Sequence, residues 1–568
     1  MQVNNSLCRV KSQLIVRRIV QIFLFILCLG NACYAYSISD FNDPVIADSI
    51  LKKSYPACIK LHGIDSLTRA QNSSQFSAVV VTPEGHILTV AHATKPGNLY
   101  WVLFPDGSEG TARALGRLVT DKSTNLPDVA MMKMEGQGPW PYAEMGWSSS
   151  LAEKQLCFGW SYPESLMLNK PFLRIGQVVK PLDSYGFVVS SCIMEPGDSG
   201  GPLFDALGRV VALHSRINGP EGLNFEVPVD MYRQYWSALQ VMEELEEHPK
   251  NKEDLGIDSL VTKLHAQSTL ATKRKMIKTK SSSAVITISS LLNDDTVSIV
   301  GTGFALGKRK QIILSKSSSV GQRPVAKLGN KSYTLKVLAR DKKNDLIALA
   351  LPKRLSGAIT LADIVEAPFS DDNLGEPIAS VLPEEGFKYG ILGMSPLSLP
   401  ARFSTGSLGA RLQEINGLPT VLQLDSLGPA ERLGLQKDDQ IITVDDKDVA
   451  SAEKINRELA HYFPGDTIKV SWIREQDTLS GSLVLATRMM REGNHPANHF
   501  KGGKSVRRDG FDRVFVHDSR IHAYECGSPV LNQEGKVVGL NIARYSHTAS
   551  LAIPADVLLV FLKNEELE

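Results

Sequence analysis

The sequence predicts a mainly β protein with two tandem domains, each built from a pair of β-barrels, and a smaller α+β module inserted in the second domain. Three observations lead to this fold class. Short apolar strands separated by turns fill most of the chain, as packed barrels require. The second half repeats strand motifs of the first half in the same order. The chain between Asp345 and Cys526 is also too long for one barrel, so it must contain an insertion.

Length and composition narrow the function classes. The 568 residues exceed what one hydrophobic core supports, and 62 basic against 61 acidic residues leave a net charge of +1. This balance gives no indication of a nucleic-acid-binding surface. We recognise no metal-ligand spacing and no phosphate-binding loop, so the sequence predicts neither a metal nor another cofactor.

The N-terminal segment, residues 1–35, has the organisation of a secretory signal peptide. Basic residues precede an apolar run from Ile19 to Gly30, and small residues follow at Ala32 and Ala35. We expect cleavage after about Ala35, because the run is short for a stable membrane span. The segment therefore predicts a periplasmic or secreted protein, with a membrane anchor formed by an uncleaved segment as the alternative.

Four cysteines follow this segment, namely Cys58, Cys157, Cys192 and Cys526. So few cysteines in so long a chain do not make a disulfide framework. Cys157 and Cys192 fall in the same half-domain and are candidates for a bond, although buried free thiols are the favoured state.

Residues 40–245 carry the motifs of a first globular domain, after a helical lead-in that ends near Ser54. His92 ends an apolar strand, and Asp128 directly precedes another apolar run. Held against the core there, Asp128 can accept a hydrogen bond from the imidazole and fix its tautomer. Asp121 is the competing candidate but lacks the apolar continuation.

The stretch from Glu195 to Pro202 has the sequence Glu-Pro-Gly-Asp-Ser-Gly-Gly-Pro and is the candidate nucleophile loop. A serine hydroxyl needs a neighbouring base, and the developing oxyanion needs backbone N–H groups aimed at it. Gly197 lets the chain turn so that its own N–H and that of Ser199 point into one hole. A plain surface turn is the alternative, and the upstream histidine and aspartate argue against it.

The order His92, Asp128, Ser199 resembles that of chymotrypsin-like serine proteases, and the whole first domain resembles the compact bacterial HtrA-type trypsin-like family. The resemblance implies that Ser199 is the nucleophile, His92 the general base and Asp128 the residue that orients it. It also implies an oxyanion hole made by the N–H groups of Gly197 and Ser199. The base of the specificity pocket would be Ile193, six residues before the nucleophile, and this apolar residue favours small or medium apolar substrate side chains over basic ones.

After a polar, basic stretch that we expect to be a solvated helical linker (residues 246–280), the chain repeats the first domain with altered residues. The repeat occupies residues 281–403 and 489–568. The catalytic positions are taken by Ser318 in place of the histidine, by Asp345, and by Cys526 in place of the serine.

This second domain resembles a chymotrypsin-fold domain that has lost its general base, which implies a pseudoprotease. Tyr524 stands where the first domain has Gly197, and a tyrosine at this position is not compatible with the expected oxyanion turn. His517 and His522 lie near Cys526 in sequence and are candidate replacement bases, but the fold puts the base on the other barrel. Catalysis by Cys526 is therefore the less favoured interpretation.

The insertion, residues 404–488, combines a strand, a short helix that ends at a glycine, and a longer helix from Ser451 to Tyr462. This pattern resembles a PDZ domain of the HtrA type, although in that family the PDZ domain follows the protease domain. The resemblance implies that an extended C-terminus binds as an added strand while backbone N–H groups hold its carboxylate. The candidate binding residues are the loop Ser407, Leu408, Gly409 and Ala410, the strand residue Leu412, and the helix residues Ile455 and Leu459, which could equally belong to the core.

Together these motifs predict a secreted or periplasmic serine endopeptidase. Its PDZ and degenerate domains would recognise unfolded or C-terminally exposed polypeptides or regulate the first domain, and a homo-oligomer is compatible with this reading. The alternative from a different class is a non-catalytic peptide-binding scaffold or sensor. Intact His92, Asp128 and Ser199 argue against that alternative.

Overall fold

A computed structural model of the protein describes residues 46–217, 223–271, 284–292, 297–308, 310–366, 369–383, 386–488 and 495–567. The expected signal peptide lies outside these residues, as does the end of the expected linker. Within the described ranges the fold is mainly β, as the sequence predicts. No helix in this part of the chain is long and apolar enough to cross a membrane.

The first half contains two β-barrels joined side by side. Strands β1 to β6 form one sheet in which β5 also pairs with β6, and strands β7 to β12 form a closed barrel. Its elements are α1 (Asp48–Ser54), β1 (Cys58–Ile64), β2 (Phe76–Val80), β3 (His86–Thr89), β4 (Leu99–Leu103), β5 (Glu109–Asp121), β6 (Leu126–Met134), β7 (Leu156–Ser161), β8 (Phe172–Lys180), β9 (Val188–Ser190), β10 (Pro202–Asp205), β11 (Val210–Ile217), β12 (Asn224–Pro228), α2 (Val229–Gln234), α3 (Trp236–Leu239) and β13 (Glu244–Leu245).

Apolar side chains from both barrels meet in one core between them. Phe158 and Phe204 stack there with ring centroids 5.1 Å apart, and both are fully buried. Aromatic pairs of this kind contribute beyond the area that they bury. The loops that connect strands across this junction therefore lie on a packed β-barrel on either side.

The second half repeats this architecture after helix α4 (Val261–Ala271). Its first sheet has the strand order β18-β17-β14-β15-β16-β20-β19, and its closed barrel has the order β21-β22-β31-β34-β33-β32. The elements are β14 (Val285–Leu292), β15 (Val297–Leu306), β16 (Ile312–Lys316), β17 (Gln322–Leu328), β18 (Lys331–Thr334), β19 (Lys336–Asp341), β20 (Leu346–Ala350), β21 (Pro377–Leu382), β22 (Gly386–Leu399), and, after an insertion, β31 (Phe511–His517), β32 (Pro529–Leu531), β33 (Val537–Arg544), β34 (Ser550–Pro554) and α7 (Ala555–Asn564).

The two closed barrels match strand for strand. Each neighbour pair among β7 to β12 has a counterpart among β21, β22, β31, β32, β33 and β34 taken in chain order. The first sheets differ at two points: the long strand β5 is replaced by two shorter strands, β18 and β19, and the edge strand β13 has no counterpart. The inserted module leaves the second barrel between β22 and β31, at the position of the short β8–β9 connection in the first barrel.

The inserted module has its own apolar core, which includes Val421, Ile441 and Trp472. The long helix is shorter than the sequence predicts. It ends at Leu459, because the N–H groups of His461 and Tyr462 donate to carbonyls three residues back and the chain turns before Pro464. The elements are β23 (Gly406–Ser407), β24 (Ala410–Ile415), β25 (Leu418–Leu424), α5 (Pro429–Leu433), β26 (Gln440–Val444), β27 (Lys447–Asp448), α6 (Ala452–Leu459), β28 (Thr467–Arg474), β29 (Asp477–Val484) and β30 (Ala486–Thr487).

Candidate active site

The structure brings His92, Asp128 and Ser199 together at the junction of the first two barrels. Imidazole Nδ1 of His92 lies 2.9 Å from Asp128 Oδ2, and Nε2 lies 3.1 Å from Ser199 Oγ. His92 occupies a short 3₁₀ turn directly after β3, and its side chain is 32% exposed. Ser199 is itself partly exposed, so its hydroxyl contacts the base and is also accessible from solvent.

Asp128 is fully buried and accepts three kinds of hydrogen bond. Besides the imidazole, its carboxylate accepts the backbone N–H of His92 at 2.9 Å and the Ser215 hydroxyl at 2.5 Å. Asp121, the competing candidate, instead accepts bonds from Ser123 and Thr124, which lower the pKa of its exposed carboxyl to about 2. The imidazole partner is thus Asp128, and Ser215 is a contact that the sequence does not reveal.

Two glycines of the nucleophile loop have no room for a side chain. Gly197 has φ +96°, and a Cβ there would lie 2.5 Å from the backbone nitrogen of Glu164. At Gly200, with φ +80°, a Cβ would lie 2.3 Å from the carbonyl oxygen of Ser77. The N–H of Ser77 donates to the Ser199 carbonyl at 2.9 Å, so the first barrel holds the loop that the second barrel supplies.

Asp198, which directly precedes the nucleophile, forms an ion pair with Arg174 of β8. Both side chains are fully buried, and the guanidinium lies 2.5 and 2.8 Å from the two carboxylate oxygens. Burial alone would lower the pKa of Arg174, but the charge and hydrogen bonds of Asp198 raise it. The Ser161 hydroxyl adds a bond of 2.9 Å to Asp198. In the sequence Arg174 looks like an ordinary strand residue, and nothing in its local sequence points to Asp198.

Ile193, the predicted pocket base, is buried with 4% exposure. The next residue, Met194, donates its N–H to the Asn224 side chain at 3.1 Å. The free thiols of Cys157 and Cys192 are both buried, as the favoured alternative predicts.

The second half repeats the backbone contacts of this site with different side chains. The N–H of Ser318 donates to Asp345 at 2.7 Å, as that of His92 donates to Asp128. The N–H of Thr302 donates to the Cys526 carbonyl at 3.3 Å, which matches the contact between Ser77 and Ser199. Asp128 and Asp345 also share a left-handed backbone, with φ 69° and 57°. The Ser318 hydroxyl donates to Asp345 at 2.8 Å and provides no base.

Cys526 is fully buried, and its burial raises the pKa of the thiol. Its sulfur lies 3.6 Å from the Ser505 hydroxyl. Both candidate histidine rings have other partners among the described residues: His517 Nε2 lies 2.9 Å from the Asn541 side chain, and His522 Nδ1 lies 2.6 Å from the Tyr524 hydroxyl. The thiol therefore stays protonated at neutral pH. Tyr524 itself lies in a 3₁₀ turn, unlike the left-handed Gly197.

The inserted module contains a groove of about 580 Å³ between β24 and α6. Most predicted binding residues line it, and Gly409, with φ +70°, lies in the adjoining loop. Ile455 and Leu459 line the groove and are also core residues, with 0% and 9% exposure. The predicted residues on its wall are Ser407, Leu408, Ala410, Leu412, Ile455 and Leu459. The wall also contains three arginines that the sequence does not single out, Arg402, Arg411 and Arg488.

Two family models match the chain, a trypsin-like peptidase domain over residues 76–213 and a PDZ domain over residues 406–485. The chain therefore contains these two domain types. It is 30% identical over 196 residues to a probable periplasmic serine endoprotease, DegP-like, of Pseudomonas savastanoi pv. phaseolicola (strain 1448A / Race 6), which covers 33% of this chain and 40% of that protein. A protein of the same description from Pseudomonas putida (strain GB-1) is 32% identical over 162 residues, covering 27% and 32%.

These alignments span less than half the length of the curated relatives. Among solved structures, an HtrA-type protease AlgW with tripeptide aligns with 79% of this chain and 99% of its own, at 17% identity and a TM-score of 0.29. The assignment of the fold thus rests on the two family models and on the strand topology of the chain itself.

Proposed function

We propose that the protein is an HtrA-like serine endopeptidase, secreted or periplasmic, whose catalytic domain spans residues 40–245. The observation that carries this proposal is the continuous hydrogen-bonded series from Asp128 through His92 to Ser199. The trypsin-like family match and the periplasmic endoproteases among the relatives support it.

In the proposed mechanism, Ser199 Oγ attacks the scissile carbonyl carbon while His92 Nε2 accepts the hydroxyl proton. Asp128 holds the Nδ1–H and stabilises the imidazolium that forms. The N–H groups of Gly197 and Ser199 donate to the oxyanion. His92 then gives the proton to the leaving amine, and a water molecule, activated by the same imidazole, releases the acyl group from Ser199.

The second half is proposed to be a degenerate copy of the protease domain, over residues 281–403 and 489–568. Its strand order and its backbone bonds at Asp345 and Cys526 support this origin. A hydroxyl at Ser318 cannot take a proton from a neighbouring nucleophile at neutral pH, and a buried neutral thiol attacks slowly. We therefore assign catalysis to the first half alone.

The PDZ domain is proposed to bind the exposed C-termini of unfolded polypeptides. The loop from Ser407 to Ala410 would hold the terminal carboxylate, Leu412 would start the strand that pairs with the peptide, and Ile455 with Leu459 would form the apolar floor. The described lining includes three arginines and no acidic side chain. This charge favours peptides with acidic residues near their C-terminus. A homo-oligomer of this protein would be compatible with peptide binding by its PDZ domain.

A fluorophosphonate probe tests the proposed function, because it reacts only with a serine that a working base activates. We expect labelling of the wild-type protein and none of Ser199→Ala, with parallel loss of cleavage of a denatured substrate. A folded wild-type protein that is not labelled, with or without C-terminal peptides, would support the non-catalytic scaffold instead. The localisation is tested by fractionating cells that express the full chain.

A further inference from the structure

The two halves of the protein meet at the segment that leads into the nucleophile loop. His547 Nδ1 lies 3.2 Å from the Met194 carbonyl oxygen, and the N–H of Thr548 donates to Glu195 Oε2 at 3.2 Å. Near them, the Tyr545 hydroxyl donates to the Ser165 carbonyl at 2.8 Å. These donors belong to the second half, and every acceptor belongs to the first.

Glu195 carries a buried carboxyl group that takes no part in the proposed catalytic mechanism. It is 5% exposed, and burial raises its pKa, as does the charge of Asp198. Its side chain also accepts the Ser165 hydroxyl. A buried carboxyl is costly unless donors satisfy it, and the second half supplies two of the donors to Glu195, the Thr548 N–H and the Ser546 hydroxyl.

Glu195 is tied directly to the residue beside the nucleophile. Its N–H donates to Asp198 Oδ2 at 2.7 Å, and its carbonyl accepts the Asp198 N–H at 3.1 Å. A shift of Glu195 would therefore move Asp198 and with it the N–H groups of Gly197 and Ser199. Donors at an oxyanion hole lose much of their effect when they are displaced by about 1 Å.

A second contact between the halves lies at strand β8. The partly exposed Asp518 accepts the N–H of Ile175 at 3.2 Å and the N–H of Ile391 at 2.8 Å through its carboxylate. Ile175 follows Arg174, the partner of Asp198. The two halves are closely packed here, because a Cβ on Gly393 would lie 2.6 Å from the Leu173 carbonyl oxygen.

We propose that the second half is a built-in positioning element for the nucleophile loop, with segment 545–548 holding Met194 and Glu195 so that the oxyanion donors stay aimed. This inference rests on the proposed function of the first half and names how its site is regulated. The first half without the second would have low peptidase activity. Any ligand that moves the second half would change the rate of the reaction at Ser199.

The test compares variants at the contact with a matched variant away from it. His547→Phe keeps the ring that lies against Phe500 but removes the donor, and Glu195→Ala removes the acceptor, whereas Glu195→Gln retains one. Val538→Ala is the control, because Val538 packs in a separate core cluster of the second half. The readouts are the rate constant for fluorophosphonate labelling, kcat and KM on a peptide substrate, and thermal unfolding.

We expect His547→Phe and Glu195→Ala to lower the labelling rate and kcat about tenfold or more, with little change in KM, and Glu195→Gln to recover most of the loss. Val538→Ala should lower thermal stability while labelling persists. Labelling of the contact variants at the wild-type rate would overturn the inference and leave the proposed function intact. A wild-type protein without labelling would overturn the proposed function and this inference with it.

Discussion

Arg174 and Asp198 form a fully buried ion pair one residue from the candidate nucleophile, and no exposed charge takes part in it. The guanidinium makes a two-pronged contact with the carboxylate, which fixes the orientation of Asp198 as well as its position. The pair therefore connects strand β8 of the barrel to the loop that carries Ser199.

Removing one partner of this pair should damage both stability and activity. We expect Arg174→Met to leave Asp198 as an uncompensated buried charge, which costs about 3 to 5 kcal/mol. Arg174→Lys should be intermediate, because lysine keeps the charge but not the fork of donors. Thermal unfolding and fluorophosphonate labelling measure the two effects, and Arg113→Met, at a partly exposed ion pair with Glu135, is the control. Equal effects of the two methionine variants would contradict this account.

The two aspartates that compete for the role beside His92 can be separated by matched substitutions. Asp128→Asn should lower kcat by about 10⁴-fold, because the amide favours the wrong imidazole tautomer. Asp121→Asn should leave kcat unchanged, since its carboxylate serves only the local turn at Ser123 and Thr124. Steady-state cleavage of a peptide substrate measures both. A large loss in Asp121→Asn together with an active Asp128→Asn would reverse the assignment.

The sequence predicts functional residues that lie within a recognisable local motif. It does not predict those whose role depends on a partner from a distant strand. His92, Asp128 and Ser199 each sit in a recognisable strand or turn motif, and the fold class, which is confirmed, follows from the same short strands. Arg174 and Ser215 gave no such signal, because each acquires its role only when a strand far along the chain brings Asp198 or Asp128 to it.

The contact between the two halves could not be predicted from the sequence, for the same reason. Thr548 and Glu195 lie 353 positions apart, and nothing in either local sequence indicates the other. Repeats could be aligned by motif, but the way in which two copies pack depends on surface shape, which a motif does not encode.

Cys526 should be chemically inert in the folded protein. Its thiol is fully buried and its pKa is raised by that burial, so little thiolate forms at neutral pH. We expect iodoacetamide to leave the native protein's peptidase activity intact, and Cys526→Ala to retain labelling of Ser199. Mass spectrometry before and after denaturation measures the alkylation, and the same reagent on the urea-unfolded chain is the positive control. Rapid alkylation of the native protein with loss of cleavage would instead favour cysteine catalysis.

Acid should destabilise the folded protein through His547, which contacts Met194 across the two halves. Burial, then the charges of Arg544 and Arg520, lower the pKa of this imidazole to about 4 from its ordinary 6.5. The unfolded chain therefore binds a proton at a higher pH than the folded chain, and this group's contribution to stability is lost as the pH falls from about 6.5 to about 4, by about 3 kcal/mol.

The comparison that isolates this effect is wild type against His547→Phe, by thermal unfolding across pH 4 to 7. Asp518 acts in the opposite direction, since burial raises its pKa to about 6 and its contribution is lost as the pH rises from about 4 to about 6. Because both proteins contain Asp518, its effect cancels in the difference. We expect the wild type to lose more stability on acidification than the variant, and parallel pH profiles would contradict the assignment.

Peptide binding in the PDZ groove should depend on the charge of the peptide. Arg411 and Arg488 line the groove and are exposed, so reversing either charge should weaken a peptide with acidic residues near an apolar C-terminus by about three- to tenfold. Arg457→Glu is the matched control, because Arg457 lies outside the groove lining and pairs with Glu453 on the same helix.

Fluorescence anisotropy with labelled peptides at low and high salt measures the affinity. The preference should shrink at high salt, because salt screens exposed charges. Equal affinity for acidic and neutral peptides would show that the arginines do not select the ligand, whereas loss of all binding on amidation of the peptide C-terminus would still show that the terminal carboxylate is bound.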